Sequence, residues 1–457
     1  MEIRNPFGGG YAPLQLPEGT MLVTMRHPER LADPAGAVRD ALAHPIGCRP
    51  LVDMARERVS RKAGAKAVVV VSDNTRPVPY KGEGGILLPI IETLLEGGFA
   101  AGDILVLIAT GTHRAMDGDE IRAMVDGRVL SMGVRVENHD CRDGGCLVSL
   151  GRTRRGTDVL IDRRYMEADL KVATGLVESH FMAGASGGRK AVCPGLVGER
   201  TTYVFHGPEL MADPRSRDLN LEGNPVHEES LEVARMAGVD FLANVTLDGA
   251  FRITGVYFGD LEEAHLAAVA GIRKVVGVEE PHGSDVVVTN AGFVGVNHYQ
   301  CAKCAVASLG ILRKGGYLVI VADTTDKGNV VGGANYRKAL ALLSSEGPEG
   351  FLEAITGKGW TFLPEQWQVQ QWAKVFRRIP MDHLYFYSPR ITGDLYRGLP
   401  GIDATRFVQG KGAGCFAEAV SGSLADIARR EGRPLQTAYI VDGPYVIPHA
   451  DDIKEES

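Results

Sequence analysis

The sequence predicts an α/β protein of two domains, each with a mostly parallel sheet flanked by helices. Three observations carry this. Residues 67–72 (Ala-Val-Val-Val-Val-Ser) and 104–109 (Ile-Leu-Val-Leu-Ile-Ala) are short, continuous apolar runs, the pattern of strands buried on both faces. Between them, 86–98 places apolar residues at helical spacing and ends on Gly97-Gly98, so the three segments form a strand–helix–strand unit and imply a parallel sheet. A second block with the same alternation begins near residue 285, which sets a boundary near 280: an N-terminal domain over 1–280 and a C-terminal domain over 281–457.

In chain order, further strands are expected at 158–162 and 169–173, a connecting helix at 261–276 and a linker at 277–283. The second block then reads as a strand from Asp285, a helix over 300–309 and a strand from Tyr317. Helical patterns follow at 334–345, 349–356 and 365–378, then a strand at 383–387 and a helix near 414–429. The charged tail from about 447 reads as loose.

Composition narrows the function. The chain has 457 residues, a formal net charge of −7 and no basic surplus, which argues against nucleic acid as a partner. The seven cysteines are scattered and odd in number, which fits a reducing compartment rather than a disulfide framework. With no signal segment and no apolar run of about 20 residues, a cytoplasmic protein without a membrane span is expected. The 57 glycines point to many tight turns and close backbone approaches.

Four segments carry chemistry. Ser72-Asp73-Asn74-Thr75-Arg76-Pro77 follows the first strand, at the sheet edge where parallel sheets bind ligands. Arg76 offers a bidentate fork for a carboxylate or phosphate, or else an Asp–Arg pair braces the turn. Thr110-Gly111-Thr112-His113 follows the next strand, and an imidazole there suits acid/base work. The stretch 174–206 holds His180, a glycine-rich loop Ser186-Gly187-Gly188-Arg189-Lys190, Pro194-Gly195 and His206. The loop resembles a phosphate cradle but is not a nucleotide-binding P-loop, because Arg189 precedes Lys190 and Ala191 follows it. A lysine beside an arginine in such a loop should have a lowered pKa, as a nucleophilic amine needs; the plainer reading is a phosphate-pairing lysine. In the fourth segment, Asn297 to Cys304, Gln300 and Lys303 share one helix face and can address one anion. The single Cys301-x-x-Cys304 pair has no partner pair at zinc-finger spacing.

Taken together, these motifs resemble the lactate racemase family, 2-hydroxyacid racemases and epimerases that use a nickel–pincer nucleotide. The matching elements are Asp73-x-Thr75-Arg76-Pro77, Gly111-Thr112-His113, the Gly175 to Gly195 block with His180 and Lys190, His206, and Tyr299-Gln300-x-x-Lys303. Phe7-Gly8-Gly9-Gly10 with Leu16-Pro17 and Gln366-Trp367-Gln368 also look like the family. The resemblance implies an isomerase whose cofactor is joined to Lys190 and whose nickel is bound by His206. It implies His113 and His180 as paired acid/bases. It implies a hold on the cofactor by Asp73, Thr75, Arg76, Ser186, Gly187, Gly188 and Arg189. Arg76, Tyr299, Gln300, Lys303 and Trp367 would contact a 2-hydroxyacid in a cleft between the domains. The implied chemistry is reversible hydride transfer through a 2-keto acid, and the implied partners are the cofactor-making enzymes.

Two stretches depart from the family: 324–364 looks long and the C-terminus looks extended, and both could reshape the pocket rim. Arg114, Arg189, His298 and Tyr80 lie near the motifs and could recognise a polar substrate tail. The remaining histidines (His27, His44, His139, His227, His265, His282, His383 and His449) read as structural or surface residues. A non-catalytic anion- or nucleotide-binding protein need not keep both His113 and His180. An NAD-dependent dehydrogenase should show Gly-x-Gly-x-x-Gly, which Gly410-x-Gly412-x-Gly414 does not complete.

Overall fold

A computed structural model describes residues 1–7, 10–410 and 415–453; Gly8, Gly9, Gly412 and Gly414 lie outside these. The chain divides into two compact units. The N-terminal unit is His27–His206 with Arg215–Lys274, and the C-terminal unit is Met1–Arg26, Gly207–Pro214 and Val275–Ser457.

The N-terminal unit is built on a six-stranded sheet in the order Ile253–Gly259, Phe241–Leu247, Leu170–Leu176, Ala67–Ser72, Ile104–Ala109, Arg135–Asn138. All neighbours are parallel except the edge hairpin of Phe241–Leu247 with Ile253–Gly259. The continuous valine run is explained by its two faces. Val69 and Val71 enter one core with Ile90 and Leu94 of the helix Leu87–Glu96, while Val68 and Val70 enter another with Tyr165, Val192 and Leu196. A strand covered on both sides favours apolar residues at successive positions.

The C-terminal unit has a second six-stranded sheet, in the order Ile402–Asp403, Leu384–Tyr387, Leu312–Val321, Ser284–Asn290, Thr437–Ile440, Met21–Val23. Every pairing in it is parallel. The edge strand Met21–Val23 comes from the start of the chain, so residues 1–26 group with the C-terminal unit rather than with the stretch 27–280. Three residues give almost no periodic signal; the pairing partner Thr437–Ile440 defines the strand.

Two expectations change here. The supposed linker contains a strand, Gly277–Glu280, paired in parallel with Ile447–Ala450 of the supposedly loose tail. Asp452 then accepts the Gly283 amide at 2.6 Å, so the described part of the tail is tied down to Ile453. The helical patterns at 334–345 and 349–356 are borne out as two helices within Ala334–Thr356, separated by a kink at Gly347 (φ +73°) just before Pro348. No described helix is long and apolar enough to cross a membrane.

Candidate active site

Leu170–Leu176, Ala67–Ser72 and Ile104–Ala109 are adjacent and parallel, so their C-terminal ends lie side by side. The three motif loops leave from these ends: Ser179–His180 onward, Asp73–Arg76 and Thr110–His113. Sheet order therefore gathers segments that are about a hundred residues apart in sequence.

Asp73 is 4% exposed, and its Oδ2 lies 2.7 Å from Nδ1 of His113. Its Oδ1 accepts from the amide and the hydroxyl of Thr75 at 3.1 and 2.5 Å. Burial works to raise the Asp73 pKa, but the bonds from His113 and Thr75 outweigh it and hold the carboxylate below its usual value. The acceptor at Nδ1 places the His113 proton there and leaves Nε2 as the basic nitrogen. His180 is set the other way. Its Nδ1 accepts from the amides of Met182 and Ala183 at 3.4 and 3.3 Å, so a neutral ring carries its proton on Nε2.

Lys190 and His206 line one pocket with Met182, Ala183, Pro194, Phe205, Val226 and Ser230. Burial, with Arg189 and Arg76 nearby, lowers the Lys190 pKa to about 7. His206 caps the helix Glu199–Phe205, and burial, with Lys190 and His113, lowers its pKa to about 3. Its Nδ1 donates to Thr202 O at 3.2 Å, which fixes the tautomer with the lone pair on Nε2. A neutral imidazole oriented by a carbonyl is the usual form of a metal ligand. The donor set thus fits a group that acylates an amine and is ligated by an imidazole. Arg76 is exposed, with one long contact from Nη1 to Thr75 O at 3.4 Å.

Of the four residues expected to hold a cofactor phosphate, Ser186, Gly188 and Arg189 make hydrogen bonds inside the protein, while the buried Arg189 Nε has no partner. The Ser186 hydroxyl donates to Leu176 O, the Gly188 amide donates to Asn244 Oδ1, and Arg189 donates to Ala183 O while only 1% exposed. Asp73 likewise serves His113 and Thr75. The four candidates for a polar substrate tail are also engaged. Arg114 grips Glu120 with both terminal nitrogens, Tyr80 hydroxyl meets Ser72 N and Thr174, and His298 is buried against Tyr336 and Trp372. His139 is fully buried against Asp162 as a structural pair.

In the C-terminal unit, Asn297 caps the helix His298–Ala307 by accepting from Gln300 N. Trp367 Nε1 donates to the Tyr299 hydroxyl at 2.8 Å and Gln368 to Tyr299 O at 2.9 Å, tying this helix to Gln366–Arg378. Gln300 and Lys303 lie one turn apart on it, and the Gln300 Oε1 is buried with no partner.

A family model described as the lactate racemase N-terminal domain matches residues 7–218. A lactate racemase of Lactiplantibacillus plantarum is 30% identical over 412 residues, 90% of each chain. The chain belongs to the lactate racemase family. As a member of that family it is an isomerase of the racemase class. A second lactate racemase, from Thermoanaerobacterium thermosaccharolyticum, is 31% identical over 349 residues, 76% of this chain and 77% of that one. The solved structure of the lactate racemase apoprotein from the same organism superposes with a TM-score of 0.84 at 25% identity, covering 98% of this chain and all of that one. A Thermotoga maritima protein shares the fold alone, with a TM-score of 0.59 at 16% identity over 88% of this chain and 98% of that one.

Sequence reasoning did not single out Asn244 and read His265 as structural or surface; both hydrogen-bond the glycine loop. The one signal for Asn244 was a polar residue inside the otherwise apolar run Phe-Leu-Ala-Asn-Val. Nothing local marked His265.

Proposed function

We propose that the chain inverts C2 of a 2-hydroxyacid, using a nickel–pincer nucleotide joined to Lys190 and ligated by His206. The observation that carries this reading is the shared pocket: an amine that loses its proton near neutrality beside an imidazole kept neutral and oriented by Thr202. When bound, the nucleotide supplies a two-electron acceptor for the hydrogen on C2 of the substrate.

The chain's own residues do the rest. His113 takes the hydroxyl proton of one enantiomer at Nε2, because Asp73 occupies Nδ1. His180 delivers a proton from Nε2 to the oxygen of the 2-keto acid, because two backbone amides occupy its Nδ1. One base and one acid are what inversion needs, and the reverse reaction exchanges the roles. Within the N-terminal unit, Arg76 takes the substrate carboxylate in a bidentate grip. The partners in this reading are a small-molecule 2-hydroxyacid and the enzymes that make and load the cofactor.

The test is to express the chain together with cofactor-making enzymes, then to measure intact mass, nickel content and interconversion of D- and L-lactate and longer 2-hydroxyacids. An adduct on Lys190, about one nickel per chain and racemisation of one of these acids are expected. A chain that stays unmodified, where a known racemase is loaded, would overturn the reading in favour of a non-catalytic anion binder.

A further inference from the structure

The glycine loop before Lys190 contains two consecutive glycines with left-handed backbone, Gly187 (φ +68°) and Gly188 (φ +54°). In a phosphate cradle such glycines let an anion approach and leave their amides pointing outward. Here the space is filled by protein. A Cβ on Gly187 would lie 2.7 Å from Val177 and 2.9 Å from Asn244 Oδ1, and a Cβ on Gly188 would lie 2.7 Å from the His265 ring.

Asn244 is fully buried in the strand Phe241–Leu247. Its Oδ1 accepts from the Gly188 amide at 2.9 Å and its Nδ2 donates to Gly175 O at 3.3 Å. It therefore ties the end of the strand Leu170–Leu176 to the loop. His265, 3% exposed on the helix Glu263–Val276, has its Nε2 2.9 Å from Ser186 O. Arg189 Nη1 lies 3.3 Å from the same nitrogen, but the carbonyl contact is the shorter and a carbonyl can only accept, so Nε2 carries the proton toward Ser186 O. Burial and the nearby Arg189 lower the His265 pKa to about 3, so the donor persists at any working pH. The Lys190 amide in turn donates to Gly187 O at 3.1 Å. Ser186 and Gly188 are thus each gripped by a side chain from a distant element, and Lys190 lies two residues beyond Gly188. A buried asparagine and a buried histidine each cost desolvation, which is recovered only through these bonds.

We infer that Asn244 and His265 are positioning residues for Lys190, clamping the loop so that its amine is presented to the pocket it shares with His206. The inference rests on the proposed function, which gives the presented amine its purpose. The loop is then a support for the attachment point rather than a phosphate site.

The test uses the full-length chain without cofactor. An N-hydroxysuccinimide ester of acetic acid is added at one pH, and peptide mass mapping reads acylation of Lys190 relative to the exposed Lys358. His265→Gln keeps a donor at the Nε2 position; His265→Asn is too short to do so. The ratio is expected to move about fivefold or more in H265N, the equivalent of one lost hydrogen bond, and to stay with the unsubstituted chain in H265Q. Asn244→Ala is expected to move it as well, and it decides the matter if H265N does not fold. Ratios that stay put in H265N and N244A, or that move alike in H265N and H265Q, overturn the clamp. If the ratio shifts as expected while the unsubstituted chain takes up no cofactor, the clamp stands and the proposed function falls.

Discussion

Replacing Asp73 by Asn tests the acid/base assignment most directly. The 2.7 Å contact to His113 joins a 4%-exposed carboxylate to an imidazole, and Asn removes the charge while keeping the shape. Hydrogen bonds to charged groups contribute about 1.5–3 kcal/mol. A loss of that size in transition-state stabilisation lowers kcat/KM about 10- to 150-fold. An asparagine that turns its amide toward Nδ1 also puts the ring proton on Nε2, removing the base. Because enantiomers have equal free energy, kcat/KM must fall by the same factor in both directions; only kcat and KM taken separately can differ. The assay is chiral chromatography of a 2-hydroxyacid with the cofactor-loaded chain. D73N and H113A are made singly and together. If Asp73 acts through His113, the double variant is no slower than H113A alone. A D73N chain within about threefold of the unsubstituted chain, or a double variant showing the product of both losses, would refute the reasoning.

Other outcomes follow from the same geometry. Lys190→Ala should abolish the covalent mass increment, and His206→Ala should lower the nickel content while the fold is kept; normal loading in either variant would remove that residue from the site. The Asp162 pKa lies at about 2: burial works to raise it, and bonds from the buried His139 and from Arg164 more than offset this. The folded value lies below the unfolded one of about 3.9, so this pair adds roughly 2 kcal/mol above pH 4. That stability drains away as pH falls from about 4 toward 2, and urea unfolding of Asp162→Asn against the unsubstituted chain across this range should show the gap closing. Gly188→Ala forces a Cβ to 2.7 Å from the His265 ring at φ +54°, and should cost about 1–3 kcal/mol by denaturant unfolding; an unchanged midpoint would mean that the loop gives way easily.

The cofactor-side motifs were legible because they are local. Asp73-x-Thr75-Arg76 and Gly111-Thr112-His113 each sit just after an apolar run, and such runs are visible without any partner. The strand Ala67–Ser72 shows the same strength of signal: burial on both faces fills 67–71 with apolar residues, so composition alone marks it. The edge strand Met21–Val23 and the paired strands Gly277–Glu280 and Ile447–Ala450 were not legible, since each is three or four residues long and exists through a partner distant in sequence.

The sequence by itself therefore determined the fold class, the family and the residues with chemical reach: His113, His180, Lys190, His206 and Arg76. Tertiary structure alone decided what those groups are turned toward. Asp73 faces His113, and in the loop before Lys190 the Ser186 hydroxyl, the Gly188 amide and one Arg189 nitrogen donate to the protein interior. Asn244 and His265 reach that loop from a separate strand and helix. The reason is physical. A motif states which donors and acceptors are available, but a buried donor takes whichever partner the packing brings within about 3 Å, and that partner is set by sheet order rather than by sequence distance.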